Sequence, residues 1–208
     1  MLLAVKSLQR KTKKLRLFCL YKERIVEERN IALIGMGNIM FHDEGLGTYL
    51  AKYIETNYIL PENLVVVDGG ILGFTLMTYY QEYDKVIIAG TTSLKGEPGT
   101  VLTCSGEEMM AQGSTRQTAN EAELTMMLEI CSFHEEMGEV ELISMIPEDI
   151  IDVCNDLTDT VLKQMPKLLE KTLEALEKEG IVLQQRAKNV SMEKIIERCA
   201  NPMTQRMH

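Results

Sequence analysis

The sequence predicts an α/β sandwich in which helices flank a mostly parallel central sheet. Two observations support this fold class. Short continuous apolar runs that end at glycine or at a polar turn recur along the chain, and such runs are typical of buried parallel strands. Segments with apolar residues at helical spacing separate these runs, so that strand and helix alternate, as they do around parallel sheets.

Five segments are predicted to be strands. In chain order they are IALIGMGN from Ile31, LVVVDGG from Leu64, DKVIIAG from Asp84, TVLTC from Thr100 and VELISMIP from Val140. In open parallel sheets the functional groups gather beyond the carboxyl ends of the strands. We therefore expect a site among the loops that follow the first three strands.

Helices are predicted between and after these strands, over residues 44–58, 72–83, 121–133, 157–180 and 191–200. Asn120 is placed to cap the third helix, and Gly180 is a typical C-terminal stop for the fourth. Pro166 should bend the fourth helix or begin its second segment. The segment GEEMMAQGSTRQTAN, residues 106–120, is predicted to be a long polar loop.

Charge divides the chain into a basic arm and an acidic body. The first 30 residues hold nine Lys and Arg against three Glu, a charge of +6, and the other 178 residues carry −15, which gives −9 overall. An acidic body argues against nucleic acid as the main partner. Residues 1–29 are predicted to be a poorly ordered basic extension, 30–180 the domain, and 181–208 a tail with a short helix.

Neither a membrane span nor a disulfide framework is indicated. No apolar run approaches the roughly 18 residues that a membrane-spanning helix needs. The five cysteines are scattered without a CxxC pair, which argues against structural disulfides and a zinc knuckle. We therefore expect a cytoplasmic protein.

The stretch GMGNIMFHDEGLG, residues 35–47, has two initial interpretations. It resembles a nucleotide-binding turn, but Met40 stands where the third glycine of that fingerprint belongs, and the acidic pair Asp43 and Glu44 would repel a pyrophosphate. Alternatively, it presents a carboxylate at the start of a helix, where an acid is also favoured as a simple cap. Its four glycines exceed what a cap requires, which favours the functional interpretation.

Four blocks of sequence together resemble the [NiFe]-hydrogenase maturation endopeptidases. The blocks are LIGMGNIMFHDEGLG, YILPENLVVVDGGILG, DKVIIAGTTSLKGEPGTV and ISMIPEDI, in matching order and spacing over residues 30–180. The resemblance implies a three-layer sandwich around a twisted five-stranded sheet. It also implies removal of a C-terminal extension from the hydrogenase large-subunit precursor after nickel insertion. The protein would then need no cofactor of its own, because the nickel to be recognised is carried by the substrate.

The resemblance also assigns site residues. The glutamate that the family directs at nickel corresponds to Glu44, a ligand or general base. The family aspartate after the third strand is replaced by Gly90, and the family histidine aligns with Asn120 or, in an alternative alignment, with Arg116. Asn120 would be a weak neutral ligand. Four further residues are expected to line the substrate cleft: Asp43, Asp68, Gly69 and Gly70.

Two consequences follow from the replaced positions. His42 is a candidate substitute ligand, and four more residues near the expected cleft could also serve: Cys104, Glu107, Glu108 and Glu121. In addition, a chain that lacks the aspartate and histidine could bind the precursor without cutting it, as an assembly chaperone or scaffold. No Ser-His-Asp or Cys-His arrangement indicates covalent catalysis.

Overall fold

The computed structural model describes residues 29–71, 73–112, 118–133 and 137–201. The predictions for the basic extension up to residue 28 and for Arg116 lie outside these ranges. Among the residues described, no helix is both long enough and apolar enough to cross a membrane.

A five-stranded sheet forms the centre of the fold, as predicted. Its strands are β1 (Ile31–Met36), β3 (Leu64–Gly70), β4 (Lys85–Thr91), β5 (Val101–Ser105) and β6 (Glu139–Met145), in the spatial order β3-β1-β4-β6-β5. The first four in that order are parallel, and β5 runs antiparallel to β6 at the edge. The carboxyl ends of β1, β3, β4 and β6 therefore share one edge of the sheet.

Helices cover both faces of the sheet. One face packs against α1 (Leu46–Asn57), α5 (Asp159–Lys178) and α6 (Met192–Ala200), and the other against α2 (Met77–Glu82), α3 (Gly106–Ala111) and α4 (Ala119–Ser132). Alternate residues of β1 divide between the two cores, with Ile31 and Leu33 in the first and Ala32 and Ile34 in the second. This alternation follows from the two-residue period of a strand, and burial on both faces explains why β1 is apolar throughout.

Two local predictions for the helices were wrong, and a third, that Pro166 bends its helix or starts a second segment, is narrowed to the bend. The predicted loop of residues 106–120 contains α3, which Ser105 caps by accepting a hydrogen bond from the backbone N–H of Glu108. Thr118, not Asn120, caps α4, because its hydroxyl accepts from the backbone N–H of Glu121 and the Glu121 carboxylate bonds back. Pro166 starts no second segment, since α5 continues through it.

The C-terminal segment is part of the folded domain as far as Asn201, beyond the boundary predicted at residue 180. A short strand, β7 (Gln184–Gln185), pairs with β2 (Tyr58–Ile59), which follows α1. Ile195 and Ile196 of the predicted terminal helix, α6, are buried. The sequence suggested a tail because this segment is short and polar outside that helix.

Candidate active site

The loop after β1 is pressed tightly between the sheet and α1. A side chain on Gly47, in the first turn of α1, would lie 2.2 Å from the carbonyl oxygen of Met36 and 2.3 Å from that of Ala89. Gly37 has a φ of +145° and faces the carbonyl of Glu44. The glycines therefore bring α1 close to the ends of β1 and β4, and they fix the turn His42–Gly45 at the carboxyl edge of the sheet.

Asp43 is an internal anchor and not a residue of the cleft wall, which corrects the prediction. Its side chain is fully buried, with 0% exposure. The carboxylate accepts hydrogen bonds from the backbone N–H groups of Glu148 (2.9 Å), Asp149 (3.0 Å) and Thr158 (2.8 Å), and from the Thr158 hydroxyl (3.0 Å). It thereby ties the loop after β6 and the first residues of α5 to the loop after β1.

Glu44, the next residue, points in a different direction and meets Asn120. The Nδ2 amide of Asn120 donates a hydrogen bond to Glu44 Oε1 over 3.0 Å, and both side chains are half-buried. Burial raises the pKa of the Glu44 carboxyl above its usual range. The two residues lie 76 positions apart in the sequence, so the fold brings together a carboxylate and an amide that were predicted to share a site.

Gly90 lies in the same place, because it lines one cavity together with Asn120. The cavity has a volume of about 30 Å³ and lies between the ends of β4 and β6 and the helices α3 and α4. The nearest neighbour of a Cβ atom on Gly90 would be the carbonyl oxygen of Met36, at 3.2 Å. Asn120 therefore touches both Glu44 and the cavity beside Gly90, where glycine contributes no donor atom and leaves space instead.

The Glu121 carboxylate, like that of Asp43, is buried and hydrogen-bonded within the protein. It accepts from the Thr92 hydroxyl (2.9 Å), the Ser93 backbone N–H (3.2 Å) and the Ser93 hydroxyl (2.5 Å). It also takes part in the capping box with Thr118. These contacts join the loop after β4 to the start of α4 and so hold Asn120 beside Glu44.

The Asp68-Gly69-Gly70 block, predicted to line the cleft, adjoins the loop after β1. The Gly70 carbonyl accepts from the Gly37 backbone N–H over 2.9 Å, and Gly70 has a φ of +46°. The exposed Asp68 carboxylate accepts from the Thr48 hydroxyl over 3.1 Å. A side chain on Gly69 would lie 2.6 Å from a methyl carbon of Ile34, which explains the need for glycine there.

The candidate substitute ligands do not join Glu44. His42 has a φ of +40°, and its buried Nδ1 has no hydrogen-bond partner among the described residues. Its backbone N–H donates to the Cys154 carbonyl over 2.9 Å, and its imidazole lies near enough to Asp149 to lower that carboxyl's pKa, though less than the backbone N–H groups of Ile151 and Asp152 do. The imidazole therefore faces the loop after β6.

The other candidates lie elsewhere. Ser105 pairs with Glu141 near the amino end of β6. Glu107 and Glu108, which begin α3, therefore lie towards the amino ends of the parallel strands, whereas Glu44 lies at their carboxyl ends. Cys104 pairs with Leu142 within the sheet. Across the part of the chain that the structure describes, no group of three or more His, Cys, Asp or Glu side chains is arranged to hold a metal ion.

Comparison with known proteins decides the family. A family model of hydrogenase maturation proteases matches residues 48–175. The hydrogenase 2 maturation protease of Escherichia coli K12 is 31% identical over 153 residues, which cover 73% of this chain and 93% of the relative. The chain belongs to the hydrogenase maturation protease family. The hydrogenase expression/formation protein HupD of Rhizobium leguminosarum bv. viciae is 25% identical over 169 residues, or 80% of this chain and 84% of HupD.

Solved structures agree with this assignment. The hydrogenase maturating endopeptidase HybD from E. coli has a TM-score of 0.71 at 31% identity, with 76% of this chain and 98% of that structure covered. The [NiFe] hydrogenase maturation protease HybD from Thermococcus kodakarensis shares the fold, with a TM-score of 0.59 at 21% identity over 70% of this chain and 98% of that one. The α/β fold predicted from the sequence is therefore that of the maturation proteases, whose members are endopeptidases.

Within this maturation protease, sequence patterns missed the residues that hold the site together. Asp43 and Glu121 are conspicuous acids, but their partners are distant in the chain. One signal was present for Glu121, because Thr118-Ala119-Asn120-Glu121 has the S/T-x-x-E pattern of a capping box. No local pattern reveals that Asp43 bonds to residues 105 to 115 positions later.

Proposed function

We propose that this chain removes the C-terminal extension of a [NiFe]-hydrogenase large-subunit precursor in the cytoplasm and recognises the nickel carried by that precursor through Glu44. The hydrogen bond between Asn120 and the half-buried Glu44 carboxylate supports the proposal most strongly. Glu44 Oε1 accepts the Asn120 hydrogen bond, and Oε2 accepts none from the residues described. One carboxylate oxygen is therefore available to a cation that arrives with the substrate.

The raised pKa of Glu44 suits this role. Half-burial removes water from the Glu44 carboxylate, and this raises its pKa. A bound cation would supply the stabilisation that the missing water does not. A metal ligand must be deprotonated, so binding of nickel would favour the charged carboxylate and oppose the effect of burial on the Glu44 pKa. The protein needs no resident metal in this scheme, since the ion belongs to the substrate.

The reaction is hydrolysis of one peptide bond. A water oxygen adds to the scissile carbonyl carbon, the C–N bond breaks, and the departing amine takes a proton. The substrate's nickel would polarise the carbonyl or lower the pKa of the water. Glu44 would serve as a ligand to the ion or as the general base, and Asn120 would hold the carboxylate in place through its amide.

The test is cleavage of a purified nickel-loaded precursor, followed by intact-mass spectrometry. We expect loss of the C-terminal extension with the wild-type chain and no measurable loss with Glu44→Ala. Glu107→Ala is the matched control, because this exposed glutamate lies at the opposite edge of the sheet and its variant should cut normally. Equal cleavage by wild type and Glu44→Ala would refute the assignment of Glu44.

A second candidate function is supported by the residue types at positions 90 and 120. Gly90 offers no donor and Asn120 offers only a neutral amide, which together make a poor metal site. The chain would then bind the precursor as a non-proteolytic chaperone or scaffold. Binding without any shortening of the precursor would favour this function over proteolysis.

Restoring the two substituted positions separates the candidates further. Gly90→Asp is sterically feasible, because the nearest neighbour of its Cβ, the Met36 carbonyl oxygen at 3.2 Å, has to move by only a few tenths of an ångström and the backbone needs no positive φ. In the double variant Gly90→Asp, Asn120→His, the added carboxylate and imidazole would stand at the two positions that share the cavity. We expect cleavage to appear or to increase, whereas unchanged activity would count against the correspondence of these positions.

A further inference from the structure

We propose that Met40, Ile151 and Val153, here called the apolar rim, form the surface on which the hydrogenase precursor docks beside Glu44. This inference rests on the proposed function for the identity of the partner. All three side chains are large, apolar and exposed, at 49%, 81% and 72% respectively. A single exposed apolar residue is ordinary, but three in two loops that adjoin one another indicate an interaction surface.

Backbone hydrogen bonds join the two loops. The Cys154 N–H donates to the Met40 carbonyl over 3.0 Å, and the Cys154 carbonyl accepts from His42 over 2.9 Å. Phe41 and Cys154 thereby form a parallel bridge, which places their preceding residues, Met40 and Val153, next to one another. The apolar rim is thus one surface built from two segments.

The loop that carries Ile151 has a defined shape. Asp149 Oδ1 accepts hydrogen bonds from the backbone N–H groups of Ile151 (2.8 Å) and Asp152 (3.2 Å), which forms a tight turn. The Asp149 backbone N–H in turn donates to the buried Asp43 carboxylate. An exposed surface fixed before binding loses less conformational entropy when a partner covers it.

The apolar rim is continuous with the proposed catalytic carboxylate. Phe41, whose backbone pairs with Cys154, accepts a hydrogen bond from the Glu44 backbone N–H over 2.9 Å. The segment from Met40 to Glu44 therefore carries part of the rim at one end and the carboxylate at the other. A protein that covers the rim would be held with its neighbouring segment near Glu44.

Charge defines the chemistry of the partner surface. Residues 147–158 contain four acids, Glu148, Asp149, Asp152 and Asp156, and no Lys or Arg. The complementary surface on the precursor should therefore combine apolar side chains with Lys or Arg around them. Binding should weaken as salt is raised, since these acids lie at the surface.

The experiment uses the double variant Ile151→Ser, Val153→Ser, which changes two exposed side chains and no hydrogen bond of the loop. Binding of the nickel-free precursor is measured by biolayer interferometry, and KM and kcat are measured with the nickel-loaded precursor. We expect Kd and KM to rise at least about tenfold with kcat maintained. Val182→Ser, 76% exposed and two residues before β7, lies outside both loops of the rim and should bind as wild type does.

The outcomes distinguish this inference from the proposed function. If the wild type cuts the precursor and the double variant has the same Kd and KM, the docking surface is wrong and the proteolytic function stands. If the wild type binds without cutting and the double variant binds at least tenfold more weakly, the docking surface stands and proteolysis fails. An equal loss of binding in Val182→Ser would overturn the specific role of the rim.

Discussion

Asp43 and Glu44 are consecutive carboxylates in one short turn, yet they have opposite roles. Asp43 is fully buried, and three backbone N–H groups and one hydroxyl from the loop after β6 and the start of α5 saturate it. Glu44 is half-buried, and Asn120 donates to only one of its oxygens. The first carboxylate stabilises the fold, and the second remains available to an external cation.

The same division recurs in Asn120 and Glu121, at the start of α4. Glu121 is buried and holds the loop after β4, while its neighbour Asn120 reaches out to Glu44. In each pair, one side chain fixes the backbone and the adjacent one enters the site. Unused hydrogen-bonding capacity, rather than acidity or position, distinguishes the residue that is available for function.

The largest effect is expected at Asp43. In Asp43→Asn the NH₂ group would face at least one backbone N–H, and two donors cannot form a hydrogen bond. The remaining donors would also lose the negative charge to which they now bond. We expect a loss of about 3 kcal/mol in unfolding free energy, hence a Tm lower by roughly 6–12 °C, measured by calorimetry at pH 7.

Asp152→Asn is the matched control for that change, because Asp152 is exposed in the same acidic loop. Its Tm should stay within about 1–2 °C of wild type, as surface substitutions usually do. An Asp43→Asn variant as stable as this control would show that the buried carboxylate is not the anchor of the loop.

The contrast between these residues also shows what sequence could predict. The apolar runs specified the sheet because burial on both faces requires continuous hydrophobicity, and their glycines marked the loops at its carboxyl edge. The family resemblance assigned Glu44 and Asn120 to one site, and the fold joins them by a hydrogen bond. The role of Asp43 was missed, since its partners are brought near it only by the packing of β6 and α5.

The cap of α4 was missed for a different reason. Thr118 and Asn120 are both good capping residues, and the pattern alone did not favour the earlier one. The reciprocal bond from Glu121 decides it, and Glu121 takes that position because Thr92 and Ser93 also bind its carboxylate. Because tertiary contacts favour a helix start at Thr118, Asn120 lies in the first turn of α4, where its amide reaches Glu44.

A smaller effect is expected at Glu121. In Glu121→Gln the hydroxyls of Thr92, Ser93 and Thr118 can rotate to accept from the new amide, but the Ser93 backbone N–H cannot. We expect a loss of about 1.5 kcal/mol, or roughly 3–6 °C in Tm by calorimetry. Glu129→Gln, on the exposed side of α4, is the control and should leave Tm unchanged; equal shifts would show that Glu121 stabilises only as a helical acid.

The smallest effect, of opposite sign, is expected at Glu44. Burial raises its pKa in the folded protein, so over the pH range between the unfolded and folded pKa values the folded state binds more protons, and stability falls as pH rises. Glu44→Gln removes this loss, and the Asn120 amide can turn to present its oxygen to the new NH₂ group. We expect an increase at pH 7 of less than about 1 kcal/mol, hence up to roughly 4 °C in Tm, discounted for partial exposure. Scanning calorimetry should show the gain disappearing below the ordinary glutamate pKa, about pH 4. A Glu44→Gln variant less stable than wild type across this range would mean that Glu44, like Asp43, belongs to the framework of the fold.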